Sequence, residues 1–334
     1  MRYVPFGGTG IVVSALGFGC GPMGSRFGVR ESRRALDAAF DDGITTFDTA
    51  RSYGYGDAEG ILGRFLEGKR DRVIVSTKFG IRASPSTPVK RFAKAVARQV
   101  FKVIPGARKL ATPAVRSQMG AQFSSHGFSV AEMTSSVERS LAELRTDYID
   151  VLFLHSCAPN VALDDELFAA LDELVRKGKV RCIGVASSAA AIAEMLRVRP
   201  QQVRALQFLQ NLSAQADART IAALPGAAGS GRMAHQPFGG PEGVARLREA
   251  LEPMRIDSRL STPLREKLAS ADPRLLADLA LNSVVRNTGV DVAVCAMYTV
   301  DHIRTNAGVV RESRFSDAEI GEVQAYFAGA MSDS

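Results

Sequence analysis

The sequence contains no tryptophan, and only four of its 334 residues are cysteines. Cys20, Cys157, Cys182 and Cys295 are scattered, with no C-x-x-C pair and no Cys/His ligand spacing. That argues against a disulfide framework and against a zinc or other metal site. No run approaches the roughly 18–20 apolar residues of a membrane span. Met1-Arg2-Tyr3-Val4-Pro5 opens without the apolar core of a signal peptide. The expectation is a reduced, cytoplasmic protein with no transmembrane segment. Core material is not lacking: apolar types make up 46% of the chain and charged residues 23%, which excludes bulk disorder. Gly19-Cys20-Gly21-Pro22-Met23-Gly24, after the first apolar run, has G-x-G-x-x-G spacing but opens no helix, so a doubly wound dinucleotide fold lacks its full signature.

Acidic residues are missing from one stretch. Between Arg82 and Ala131 there are nine Lys and Arg and no Asp or Glu, which accounts for the net charge of +7 and leaves the rest near neutral. Charge so confined suggests one basic appendage and no nucleic-acid partner. Residues 82–128 are too long for an ordinary βα loop and form an insertion or lid. Within them Lys90, Arg91, Lys94, Arg98 and Lys102 are spaced against Phe92, Val96, Val100 and Val103. This spacing predicts an amphipathic basic helix over 90–104. Its simplest role is a solvated lid. A sharper one is a docking surface for an acidic partner, an anionic substrate or a membrane surface.

The remainder is regular. Short apolar runs fall at 15–18, 44–47, 73–76, 149–154, 182–185, 205–208 and 292–295, with a weak one at 232–234. Helical patterns separate most of them. Strands that are apolar throughout belong to parallel sheets covered on both faces. Eight such units predict an α/β protein, a (β/α)8 TIM barrel forming one domain over 1–334. Arg2–Val13, folded about Gly7-Gly8-Thr9-Gly10, predicts a β-hairpin able to plug the barrel floor. Ser129–Glu132 and Ser316–Glu319 are capping boxes that open helices. Residues 222–243, rich in Gly, Ala and Pro, are expected to loop across the barrel mouth.

In such a barrel, chemistry sits at the C-terminal strand ends. There the sequence offers Asp48 and Tyr53 after the second run, Lys78 after the third and His155 after the fourth. Each alone is more simply a turn residue or a core histidine. Together they suit carbonyl reduction, in which the oxygen needs a proton. A free phenol, with a pKa of about 10, gives its proton up poorly. A Lys78 ammonium would lower that value, Asp48 would hold the ammonium charged, and His155 would orient the oxygen.

With Phe47-Asp48-Thr49-Ala50-x-x-Tyr53-Gly54, Lys78 and His155 so spaced, the sequence resembles the aldo-keto reductase family. Val180–Val185 resembles that family's run into strand five, and Leu279–Asn306 its strand-eight cofactor segment. The resemblance implies a small-molecule carbonyl or alcohol substrate, Tyr53 as general acid/base and NADP(H) bound in extended form. It places Gly19, Cys20 and Asp48 beside the cofactor and Ser187, Ser188 and Gln207 on its carboxamide. His235 would lie against the nicotinamide and Pro237, Phe238 and Gly239 over the pyrophosphate. Met297 and His302 are also expected to bind the cofactor, and Asn306 matches the Asn that contacts adenine. Ala296 and His302 stand where many members place a Lys and an Arg on the 2′-phosphate, so NAD(H) remains possible. A monomer or weak oligomer is expected. The alternative function is a cofactor-binding regulatory or sensor subunit that docks through the insertion.

Overall fold

A computed structural model describes residues 1–81 and 127–329. The expected basic helix over 90–104 and most of the 82–128 insertion lie outside the described residues. Two short strands, β1 (Tyr3–Pro5) and β2 (Val12–Ser14), form an antiparallel hairpin with Tyr3 opposite Ser14. Eight parallel strands then close into a barrel: β3 (Leu16–Gly19), β4 (Thr46–Asp48), β5 (Ile74–Phe79), β6 (Ile149–His155), β7 (Val180–Ala186), β8 (Val203–Leu209), β9 (Gly231–His235) and β10 (Val292–Cys295). Neighbours in sequence are neighbours in the sheet, and β10 closes on β3. Every predicted apolar run is one of these strands, including the weak one.

Alternation along each strand divides the side chains between the barrel interior and the surrounding helices. The interior layers nearest the floor hold Val151, Cys182, Ala205, Met233 and Val292, packed with Phe6, Ile11 and Val13 from the hairpin. Phe6 lies flat on Gly231, where a Cβ would sit 2.5 Å from its ring. The Gly8 N–H donates to Gly229 O at 2.9 Å. The hairpin therefore plugs the floor, as its sequence predicts, and the cavity among the described residues opens at the opposite end. Both capping boxes form: the Ser129 side chain caps helix Val130–Leu144, and Ser316 and Glu319 exchange bonds of 2.6 and 3.2 Å at helix Asp317–Gly329.

The expectation for 222–243 needs correction. Residues 227–229 make a short 3-10 turn at the floor, and Gly231–His235 is β9 itself. Only the segment from Gln236 crosses the mouth before helix Gly240–Ile256 begins. The small residues that suggest a loop serve packing instead, because Gly231 must leave room for Phe6.

Asp150, fully buried near the floor end of β6, joins three elements. It accepts from Arg70 Nη2 at 2.7 Å, Arg181 Nη1 at 2.7 Å and the Val75 N–H at 2.9 Å. Replacing it by Asn removes the charge that both guanidinium groups face. Breaking a buried pair costs about 3–5 kcal/mol, and the half-exposed Arg181 puts this case near about 3 kcal/mol. Urea denaturation of Asp150→Asn is expected to show that loss, with ligand binding at the mouth unchanged.

Candidate active site

Strand register decides which side chains meet at the mouth. Asp48 of β4 is level with Gly19 of β3 and Ser76 of β5. Lys78 lies two residues beyond Ser76, on the same inward face and one layer higher. Ser76 Oγ donates to Asp48 Oδ1 at 2.7 Å, and Lys78 Nζ reaches Oδ1 at 2.8 Å and Oδ2 at 2.6 Å. Lys78 also donates to Thr49 O at 2.8 Å. Across the barrel, Gln207 Nε2 donates to Asp48 Oδ1 at 3.0 Å. On β6, Phe153 is level with Lys78, and His155 stands two residues above it on the same face. His155 is in turn level with Ala186, and Ala186 with Gln207. Gly184 leaves space for the Phe153 ring, 2.6 Å from where its Cβ would be.

Tyr53 enters from the loop after β4, in a turn where Gly54 and Tyr55 both take left-handed backbone (φ +60°). A Cβ on Gly54 would lie 1.9 Å from Met23 O, so only glycine fits this approach of two loops. The turn sets the Tyr53 ring over the ammonium, with Lys78 Nζ 4.8 Å from the ring centre. The His155 ring meets Tyr53 edge-on at 6.1 Å between centres.

The ionisations are coupled. Burial presses hardest against the Lys78 charge. Asp48, Tyr53 and the hydrogen bonds around the ammonium outweigh it, and the amine is held above its ordinary value. The Tyr53 phenol departs from the simple expectation. Burial pushes it above 10.0, and Lys78 offsets only part of that rise. The phenol therefore keeps its proton throughout the neutral range. The His235 ring is pushed below 6.5, first by burial and then by Lys78.

These groups line a cavity of about 1110 Å³. That is slightly larger than the roughly 300–1,000 Å³ of most small-molecule pockets. Of the expected residues, Gly19, Asp48, Tyr53, His155, Ser187 and Ser188 are on its wall, as are Gln207, His235, Pro237 and Phe238. Lys78 lies beneath the wall, buried under Asp48 and Tyr53. Cys20 is completely buried and does not reach the wall, because its side chain is packed into the core behind β3. Met297 and Asn306 are also buried off the wall, with Asn306 Nδ2 3.8 Å from Cys295 Sγ. His302 is exposed in the first turn of helix Val300–Arg311. Gly239 (φ +66°) caps helix Gly240–Ile256, whose first residue lines the cavity.

Sequence reasoning missed Ser76, although its place two residues before Lys78 on a strand was a usable signal. It also missed Pro22, Phe128, Pro159 and Val161, which line the outer cavity from loops without periodicity. All four cysteines are free and buried. No helix among the described residues is long and apolar enough to cross a membrane, and they hold no group of side chains fit for a metal ion.

The Aldo/keto reductase family model matches residues 15–327. The aldo-keto reductase YhdN of Bacillus subtilis is 31% identical over 193 residues, which is 56% of this chain and 47% of that protein. A D-threo-aldose 1-dehydrogenase from a Pseudomonas species is 32% identical over 186 residues, 54% of this chain and 51% of its own. The chain thus spans about half the length of the curated relatives it matches. The holo form of an aldo-keto reductase from Bacillus halodurans superposes with a TM-score of 0.69 at 21% identity, covering 97% of this chain and 96% of that one. At that identity the likeness is one of fold.

Two outcomes test this geometry. Gly54→Ala combines backbone strain with a clash against Met23 O. It is expected to lower unfolding free energy in urea by at least about 1–3 kcal/mol. Proton NMR of the imidazole rings should place the His235 titration below 6.5.

Proposed function

The chain belongs to the aldo/keto reductase family, and from that premise we propose that it is an oxidoreductase interconverting a carbonyl compound and its alcohol. Tyr53 is the general acid/base in this reading, and the substrate is a small-molecule aldehyde, ketone or sugar. The observation that carries it is the buried Lys78, bonded to both Asp48 oxygens and set under the Tyr53 ring at the cavity wall.

A bound nicotinamide cofactor would supply the hydride for reduction or take it up in oxidation. The residues present fit such a group. The cavity has room for a cofactor and a substrate together. Ser187, Ser188 and Gln207 bring amide-binding chemistry to one wall, and His235 brings a ring that is uncharged at neutral pH. Helix Gly240–Ile256 begins at the cavity wall with Gly240, and a helix N-terminus favours phosphate oxygens. In this reading Asn306, buried off the wall, and the exposed His302 would serve the adenosine end. The family default is NADP(H), and NAD(H) remains open because Ala296 and His302 offer no fixed positive charge.

As negative charge develops on the carbonyl oxygen, Tyr53 donates its proton and becomes phenolate. The Lys78 ammonium beneath it stabilises that phenolate, and Asp48 keeps the ammonium charged. In this reading His155, edge-on to the phenol, donates to the same oxygen. In the reverse direction Tyr53 must first lose its proton, which its raised pKa opposes.

A positioned general acid contributes about 10²–10⁴-fold, so Tyr53→Phe should lower turnover at least about 100-fold while cofactor affinity holds. Full activity in that variant overturns the proposal. Lys78→Met should be similarly damaging. The pH dependence follows from the raised phenol: reduction should hold through neutrality and fall in strong alkali, whereas alcohol oxidation should climb with pH over the same range. Titration with NADPH and with NADH, followed by nicotinamide fluorescence against the low emission of a chain without tryptophan, decides cofactor preference. Binding of neither contradicts the proposal.

A further inference from the structure

Beside the proposed proton-transfer groups lies a second buried charge with no role so far. Glu59, in the first turn of helix Ala58–Leu66, is 1% exposed. Its carboxylate accepts from Thr77 Oγ1 at 2.6 Å and from the Arg51 guanidinium. Both partners are informative. Arg51 belongs to the short segment that joins Asp48 to Tyr53, and its N–H reaches Lys78 O at 3.4 Å. Thr77 precedes Lys78 on β5. Ser76 and Lys78 point into the barrel, so Thr77 points outward, toward the helix.

One carboxylate outside the barrel thus ties together the two segments whose side chains meet inside it. Burying a charge is expensive, and an apolar pair in place of Glu59 and Arg51 is often neutral or stabilising. The bond between Glu59 and Thr77 fixes the helix against β5. The bond between Glu59 and Arg51 fixes the Tyr53 loop against both. We infer that Glu59 is a positioning residue: acting through Arg51 and Thr77, it sets the Tyr53 phenol at its working distance from Lys78. The inference rests on the reading of Tyr53 as proton donor given above.

The Asp150 network supplies an internal control. It too is a buried carboxylate held by arginines and a strand, but it lies at the floor, away from the cavity. Three variants of the full chain make the test: Glu59→Gln, the pair Arg51→Met with Glu59→Leu, and Asp150→Asn. Each is measured for kcat, affinity for the reduced cofactor that the wild type binds, and thermal unfolding. A misplacement of about 1 Å costs about 100-fold in rate. Glu59→Gln should therefore lose about 10- to 100-fold in kcat with cofactor affinity within about twofold. The double variant, which leaves no unpaired buried charge, should regain thermal stability but not kcat. Asp150→Asn should lose stability and keep kcat within about twofold.

The inference falls if Glu59→Gln keeps its kcat, or if kcat returns with stability in the double variant. It also falls if Asp150→Asn loses kcat to the same degree at equal stability. Should Glu59→Gln fail to fold, the double variant decides alone. Tyr53→Phe separates the two claims. If that variant keeps full turnover, the enzymatic reading has failed and kcat no longer reports on Tyr53. The tyrosinate absorbance difference between matched proteins with and without Tyr53 then decides. It should titrate at a different pH in the double variant, whose net charge is unchanged, and an unmoved titration overturns the inference.

Discussion

A carboxylate and an ammonium sealed under a phenol are the constraint on which the mouth of this barrel depends. Taking either charge out of water costs several kcal/mol, and attraction between them repays this only when geometry is good and the remaining bonds are filled. Here they are filled. Asp48 receives Ser76, Lys78 and Gln207, and Lys78 has Thr49 O as a further acceptor. Those donors come from two strands, β5 and β8, and Gln207 of β8 reaches Asp48 from the far side of the barrel. An open sheet would leave Gln207 and Asp48 apart. Closure of the barrel satisfies the pair, and the pair in turn fixes the upper layer of the barrel.

The two ends of the barrel handle buried charge differently. At the floor, Asp150 is shared by two arginines and a backbone N–H, and the hairpin excludes ligands above Gly231. None of its members lines the mouth cavity, so the network serves stability and register. At the mouth, the same kind of arrangement opens on one side to the cavity through Tyr53 and His155. A charge cluster with one open side can exchange protons with a ligand, and a closed one cannot.

Much of this was legible in the sequence because it rests on short-range regularities. Buried parallel strands are apolar throughout, so all eight could be found, and Asp48, Lys78 and His155 stand at their ends by simple position. What escaped depends on contacts distant in the chain. The small residues of 222–243 imitate a loop because Gly231 makes room for Phe6, more than 220 residues earlier. Gln207 was assigned to a ligand, but its bond to Asp48 spans 159 positions. The loops that bring Pro22, Phe128, Pro159 and Val161 to the cavity carry no period to read. The resemblance put Cys20 beside the cofactor, whereas its side chain is packed into the core.

The phenol shows why composition alone misjudges a site. Adding a lysine beside a tyrosine suggests a lowered pKa, and that reasoning holds in water. Inside the barrel the same packing that brings Lys78 close also removes solvent from Tyr53, and burial is the larger effect. The result is a phenol that holds its proton until an acceptor develops charge nearby. A carbonyl oxygen becoming an alkoxide is such an acceptor, since its negative charge arises where water is excluded and where Lys78 and His155 already point positive or donor ends. An alcohol arriving at the same site meets a protonated phenol and must wait for its ionisation. On the proposed chemistry, then, desolvation of Tyr53 and its cation together bias the site toward reduction near neutral pH, with the bias relaxing as the solution becomes alkaline.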